Sequence, residues 1–225
     1  GFPVDMTESI LNDRKLSLDI KQYKSIVEAH KKLQKNSWVG IGNKDNEKNY
    51  QEIFKNFPST QFCGYETTAC NSKLLNIIEN DILVDSTKKN EEVILIFDKT
   101  PFYAEAGGQL GDSGNIYNSK GQIVAEVSET KKIKNGIYLH FVNRCLFELK
   151  KNESYFLEID KDKRVKTSNN HSATHLLHES LRQIVGKHVS QKGSLVSSKK
   201  LRFDYSSNEQ LSLEKHRKIE NLVNN

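Results

Sequence analysis

The stretch Asn170-His-Ser-Ala-Thr-His-Leu-Leu-His178, followed ten residues on by His188-Val-Ser-Gln-Lys-Gly-Ser-Leu-Val196, decides how this chain is read. His171 and His175 are four residues apart, a spacing that puts two imidazoles on one helix face. The second string alternates, as does Leu201 to Tyr205, so a helix carrying imidazoles is expected beside a β-hairpin. Asp162 can cap that helix, which is expected to run to about Val185 with Val165, Leu176, Leu177, Leu181 and Ile184 inward. A last helix is expected from Asn208 to Val223, which makes residues 161–225 an α+β unit.

Working upstream, residues 59–160 change pattern. Short β-branched and aromatic runs, Val93 to Phe97, Ile123 to Val127 and Ile137 to Val142, are separated by Asn, Gly, Ser and Asp turns. This predicts a small antiparallel β-barrel or sandwich. Within it lies Thr100-Pro-Phe-Tyr-Ala-Glu-Ala-Gly-Gly-Gln-Leu-Gly-Asp112, whose glycines permit left-handed backbone and close approach. Residues 1–58 read as a helical segment with Ile20, Tyr23, Val27, His30 and Leu33 on its apolar face, then a polar linker from Gly40 to Tyr50. The fold expected is α+β: a helical amino-terminal segment, a barrel, and the α+β portion.

A chain of 225 residues with 36% hydrophobic content can bury a core in one large or two small domains. It contains no apolar run near the ~20 residues of a membrane helix and no signal-peptide pattern, so the cytoplasm is the expected location. Cys63, Cys70 and Cys145 are odd in number and lack CxxC spacing, which disfavours a disulfide framework or an all-cysteine zinc site. They are expected to be buried or half-buried thiols. Net charge is +5, and between Glu179 and Asp204 there is no acidic residue, while Arg182, Lys187, Lys192, Lys199, Lys200 and Arg202 all fall there. Such a segment attracts a phosphate backbone. The chain opens at Gly1 and stops at Asn225 in a segment still read as helical, so it is expected to be a piece of a longer protein.

Neutral imidazoles bind zinc at about 2.0 to 2.1 Å, and a helical pair offers two ligands to one ion. The residues between them, Ser-Ala-Thr, lack the Glu of HExxH metalloproteases, which disfavours peptidase chemistry. His178 extends the face as a third ligand or as part of the core.

Phe102 to Asp112, Asn170 to His178 and Val189 to Val196, in that order, closely resemble the editing region of the alanyl-tRNA synthetase family. Gly1-Phe-Pro-Val-Asp-Met-Thr7 resembles the end of that family's tRNA-recognition helices. The likeness runs through the chain. Free-standing alanyl editing proteins share the barrel and the histidines but not the helical opening, so a synthetase fragment is the preferred reading.

The resemblance implies a parent that ligates alanine to tRNA(Ala) with ATP and magnesium, and a region that hydrolyses seryl- and glycyl-tRNA(Ala) made in error. A pocket that accepts a methyl group rejects an added hydroxyl by only about 100-fold, so a second, hydrolytic site is needed. The resemblance makes His171 and His175 the first two zinc ligands and Thr174 and Gln191 positions of recognition or water placement, with Ser194 lining the pocket. Gly107, Gly108, Gln109, Lys192, Lys199 and Arg202 would meet the substrate, the three cations at acceptor-stem phosphates. The family's other ligands lie in a later CxxxH-type motif that does not follow Ser194 here. The pair is therefore expected to be metal-free or to hold water or an adventitious ion, with weak or absent hydrolysis. Ala106 stands where the family more often has Ser. Two other readings are a non-catalytic RNA-binding module and a hydrolase acting outside a synthetase, either a free-standing deacylase or a zinc hydrolase unrelated to tRNA.

Overall fold

A computed structural model describes residue 22 and residues 57–133, 135–207 and 210–225. Two compact units divide the chain, Gly1–Glu52 and Ile53–Asn225. The helices and linker expected before residue 57 lie outside the described residues, apart from Gln22, which is helical and exposed.

The second unit opens with β1 (Gln61–Phe62), β2 (Ala69–Glu79), β3 (Ile82–Val84), β4 (Val93–Phe97) and β5 (Lys99–Thr100). It continues with β6 (Gly114–Tyr117), β7 (Ile123–Lys132), β8 (Tyr138–Cys145) and β9 (Ser154–Ile159). Strands β2, β4, β8, β7, β6 and β9 pair antiparallel in that order, and β9 returns to β2. The ring closes because β2 is long: Cys70 faces Leu157 of β9, whereas Ile77 faces Leu95 of β4. β3 joins the far end of β2, opposite Ile77 to Glu79. Closure leaves these six strands paired on both sides, which removes the exposed edges of an open sheet. Register shifts at Leu74/Asn76, Ile116/Tyr117 and within β7 supply the curvature. The barrel of the two expected alternatives is thus the one formed. β7 runs past Val127 to Lys132, because Glu129 and Lys131 lie on the wetter face and their polarity does not interrupt pairing with β8.

The interior is filled by Leu74, Ile77, Leu95, Phe97, Phe102 and Leu157, all fully buried. One imidazole lies among them. His140 of β8 donates from Nδ1 to the Leu95 carbonyl at 3.0 Å and accepts the Thr100 hydroxyl at Nε2 at 2.7 Å. Phe97 and Phe102 meet its ring edge-on. With both nitrogens satisfied the neutral ring is at home, and burial pushes its pKa down to about 4.

Beyond the barrel come α1 (Lys161–Ile184), the antiparallel hairpin β10 (Gln191–Val196) and β11 (Leu201–Tyr205), and α2 (Leu213–Asn224). The cap of α1 is Asp160, not Asp162. Its backbone is extended and its carboxylate accepts from Lys163 N at 3.0 Å, while Asp162 falls inside the first turn. Leu181, with half-buried Leu177 and Ile184, packs with Val189, Phe203 and Ile219 in a second small core. Val165 and Leu176, expected inward, are 58% and 54% exposed. Ser212 caps α2, which starts at Leu213, later than expected; residues 208–209 lie outside the described residues. No helix among the described residues is long and apolar enough to cross a membrane.

His140 makes stability depend on pH. The unfolded chain takes up this proton as pH falls below about 6.5 and the folded chain resists until about 4, so stability is lost across that interval, up to about 3 kcal/mol. Urea melts between pH 7 and pH 4 are expected to show this slope in the native chain and a shallower one in His140→Leu.

Candidate functional site

The inward face of α1 follows a three-then-four spacing: Arg164, Thr167, His171, Thr174, His178 and Leu181 are each buried or half-buried. Most of this stripe is polar, which is why apolar periodicity misplaced Val165 and Leu176.

At the start of the stripe, Arg164 Nε donates to both Asp112 carboxylate oxygens at 3.0 Å. One terminal nitrogen donates to the Gly64 carbonyl at 2.9 Å, the other to the Pro101 carbonyl at 3.0 Å and to Asp112 Oδ2. Asp112 is 7% exposed, accepts from Tyr103 N at 2.7 Å, and receives the Thr130 hydroxyl on its main-chain carbonyl at 2.9 Å. A charge this buried is tolerable only when so fully paired. Arg164 pins the first turn of α1 to two loops of the barrel, at Gly64 in one and at both ends of the glycine string, Pro101 and Asp112, in the other. Sequence reasoning missed it, since Lys161-Asp-Lys-Arg164 resembles a solvated helix start.

The glycine string between Thr100 and Asp112 reaches the same helix further along. Ala106 and Gln109 exchange both backbone hydrogen bonds, at 3.1 and 3.0 Å, around Gly107 and Gly108. The φ values of these glycines, 60° and 86°, form the left-handed pair required by a type I′ turn. The turn docks on β10: Val196 N donates to Gly108 O at 2.7 Å and Leu110 N to Val196 O at 3.0 Å. A Cβ on Gly108 would stand 2.6 Å from Ser194 O, so only glycine allows this approach. One on Gly107 would meet nothing within 4 Å.

This mount aims Gln109, 8% exposed, at α1, with its Oε1 2.5 Å from His171 Nδ1. His171 is half-buried and His175 exposed, their rings stacked with centroids 5.0 Å apart. Thr174 is buried and donates its hydroxyl to the Asn170 carbonyl at 2.8 Å. Asn170, absent from the sequence-based set, donates its side-chain amide to Ser197 O at 2.8 Å and so ties helix to hairpin. Ser194 is half-buried against Gly108; Gln191, Lys192 and Lys199 are exposed. Arg202 is exposed and paired with Asp204 at 3.2 Å.

His178 stands apart. Its ring lies 5.0 Å from Phe203, and Nε2 is buried without a hydrogen-bond partner, a packing position on the second core. Among the described residues no group of three or more His, Cys, Asp or Glu is placed to hold a metal ion. His171 and His175 present two imidazoles side by side, where a closed tetrahedral zinc site takes four ligands. The cysteines are free; Cys63 and Cys145 are buried and Cys70 half-buried. Burial, with Cys70 adding, pushes the Cys63 thiol up to about 11, which removes it as a nucleophile at neutral pH.

A family model described as tRNA synthetases class II (A) matches residues 1–163, and the chain belongs to that family. Within it, the whole chain matches a fragment of alanyl-tRNA synthetase: it is 39% identical to the alanine–tRNA ligase of Wolbachia pipientis wMel, covering 26% of that protein. It is 38% identical to that of Petrotoga mobilis and 40% to that of Fusobacterium nucleatum subsp. nucleatum, again over all of this chain and 25% of each relative. The chain spans about a quarter of the length of the curated relatives it matches.

Arg164→Lys keeps the charge but not the planar fork, and is expected to lower the unfolding free energy by about 2 kcal/mol in denaturant titrations. Gly108→Ala combines left-handed strain with a backbone clash. It is expected to cost about 1–3 kcal/mol and to speed hydrogen exchange at the Val196 amide.

Proposed function

We propose that this chain contributes to hydrolytic editing in an alanyl-tRNA synthetase, removing serine and glycine wrongly attached to tRNA(Ala). The observation that carries the reading is the stacked His171–His175 pair, braced from the barrel by Gln109 and set on a helix that packs against β10 and β11. Residues 1–58, 59–160 and 161–225 then correspond to the end of the tRNA-recognition helices, the barrel and the first part of the editing domain.

In this reading His171 and His175 hold zinc with ligands from sequence outside this chain. When bound, the ion supplies Lewis acidity and a fixed point for the substrate's end. Thr174 already donates its hydroxyl to Asn170 O, so its oxygen is left to accept a hydrogen bond from water or substrate. Exposed Gln191 can donate and accept, which suits it to hold an attacking water. Ser194, half-buried against Gly108, would line the same pocket. Gly107 stands open to the acceptor end, whereas Gly108 and Gln109 act through Ser194 and His171. Lys192, Lys199 and Arg202 draw the acceptor-stem phosphates, which gives binding a steep salt dependence. Alanine ligation with ATP and magnesium is assigned to the full-length parent, in the cytoplasm.

The test compares release of serine from seryl-tRNA(Ala) and of alanine from alanyl-tRNA(Ala), by this chain and by its full-length parent, with zinc content measured alongside. Serine-selective release by the zinc-loaded parent is expected, slowed about 10-fold or more by Gln191→Ala. Salt-sensitive tRNA binding without deacylation, even in the parent, would instead identify an RNA-binding module.

A further inference from the structure

We infer that Gln109 is a positioning residue that locks the His171 imidazole in one tautomer, with hydrogen on Nδ1 and the lone pair on Nε2. The inference deepens the hydrolytic reading of the same site and rests on it only for the use to which that lone pair is put.

Gln109 is built to hold one orientation. Its backbone N–H and C=O are both bonded to Ala106, and its neighbours on either side, Gly108 and Leu110, are bonded to Val196 of β10. The side chain is buried, and Oε1 meets His171 Nδ1 at 2.5 Å. An amide oxygen only accepts, so Nδ1 carries the hydrogen, and a neutral imidazole has one N–H to place. The lone pair is therefore on Nε2. His175, exposed on the next turn of α1, has no such brace among the described residues. A group that fixes ring rotation and tautomer in this way removes the cost of choosing a tautomer on binding. The glycine turn thus serves the imidazole pair through Gln109, reaching across 62 residues of sequence.

The test uses the full 225-residue chain labelled with 15N at histidine, at about pH 8, where unperturbed imidazoles are neutral. Long-range 1H–15N spectra distinguish a protonated from a bare ring nitrogen. His171 is expected to show hydrogen on Nδ1 alone, and His175 a mixture. Gln109→Leu, which has no acceptor, is expected to return His171 to a mixture, and Gln109→Glu, which keeps one, to restore the single tautomer. Zinc titrated into the same samples is expected to bind about 10-fold more weakly to Gln109→Leu than to the native chain or to Gln109→Glu. A bare Nδ1 in the native chain, or a His171 spectrum unaltered by Gln109→Leu, would overturn the inference. If Gln109→Leu loses spectral dispersion, Gln109→Asn is the second variant: shorter by one methylene, it withdraws the acceptor while preserving polarity, and an unchanged tautomer there is equally fatal. A locked tautomer in a parent that does not release serine would sink the editing reading alone, whereas serine release with a bare Nδ1 would sink only the role of Gln109.

Discussion

Arg164 and Asp112 hold the two halves of the second unit in one frame. The carboxylate sits at the end of the glycine string and the guanidinium one turn into α1, and the fork satisfies two main-chain carbonyls as well as the carboxylate. An arginine that served only as a counter-charge could be replaced by lysine; this one sets direction. Because its acceptors lie at Gly64, Pro101 and Asp112, the helix leaves the barrel at an angle fixed at three points on two loops. Everything further along α1, including the imidazole pair, inherits that angle.

The helix serves two environments with one face. Its first half meets loops of the barrel through Arg164 and His171, with Thr167 and Thr174 buried on the same face, and its second half lies on an apolar cluster through Leu177, Leu181 and Ile184. Short hydroxyl side chains suit the first half because they bring the helix close and can bond back to their own backbone, as Thr174 does. Polar groups placed where a core would normally be leave room for side chains with chemistry to perform. This is the arrangement expected where specificity of position takes precedence over burial of area.

How much of this could be read beforehand follows from where the hydrophobic signal is clean. The strand at Val93 to Phe97 was legible in full because its run is continuous and flanked by turn residues, and the hairpin because β11 alternates cleanly, although β10 does not. The histidine pair was legible from spacing alone. Val165 and Leu176 were misassigned because the true inward stripe carries Arg, Thr and His, residues that a hydrophobicity pattern counts as outward. Asp162 offers a carboxylate near the boundary as Asp160 does, and the end of β9 at Ile159 leaves the capping position to Asp160. The glycines announced a close approach, but not that Gly108 is the one that meets Ser194. Arg164 carried no signal, since its partners are main-chain carbonyls and an aspartate 52 residues away.

The docking of the Gly107–Gly108 turn on Val196 also bears on how the protein comes into being. Val196 follows Gly108 by 88 residues, so this docking waits until the chain up to that point has been made. The strands that carry the turn leave the ribosome before the helix and the hairpin do. A nascent chain can thus possess a complete barrel while its paired imidazoles have neither their brace nor their neighbour. The braced imidazole pair is therefore completed only after α1 and β10 have been made, and a chain halted before that point lacks it.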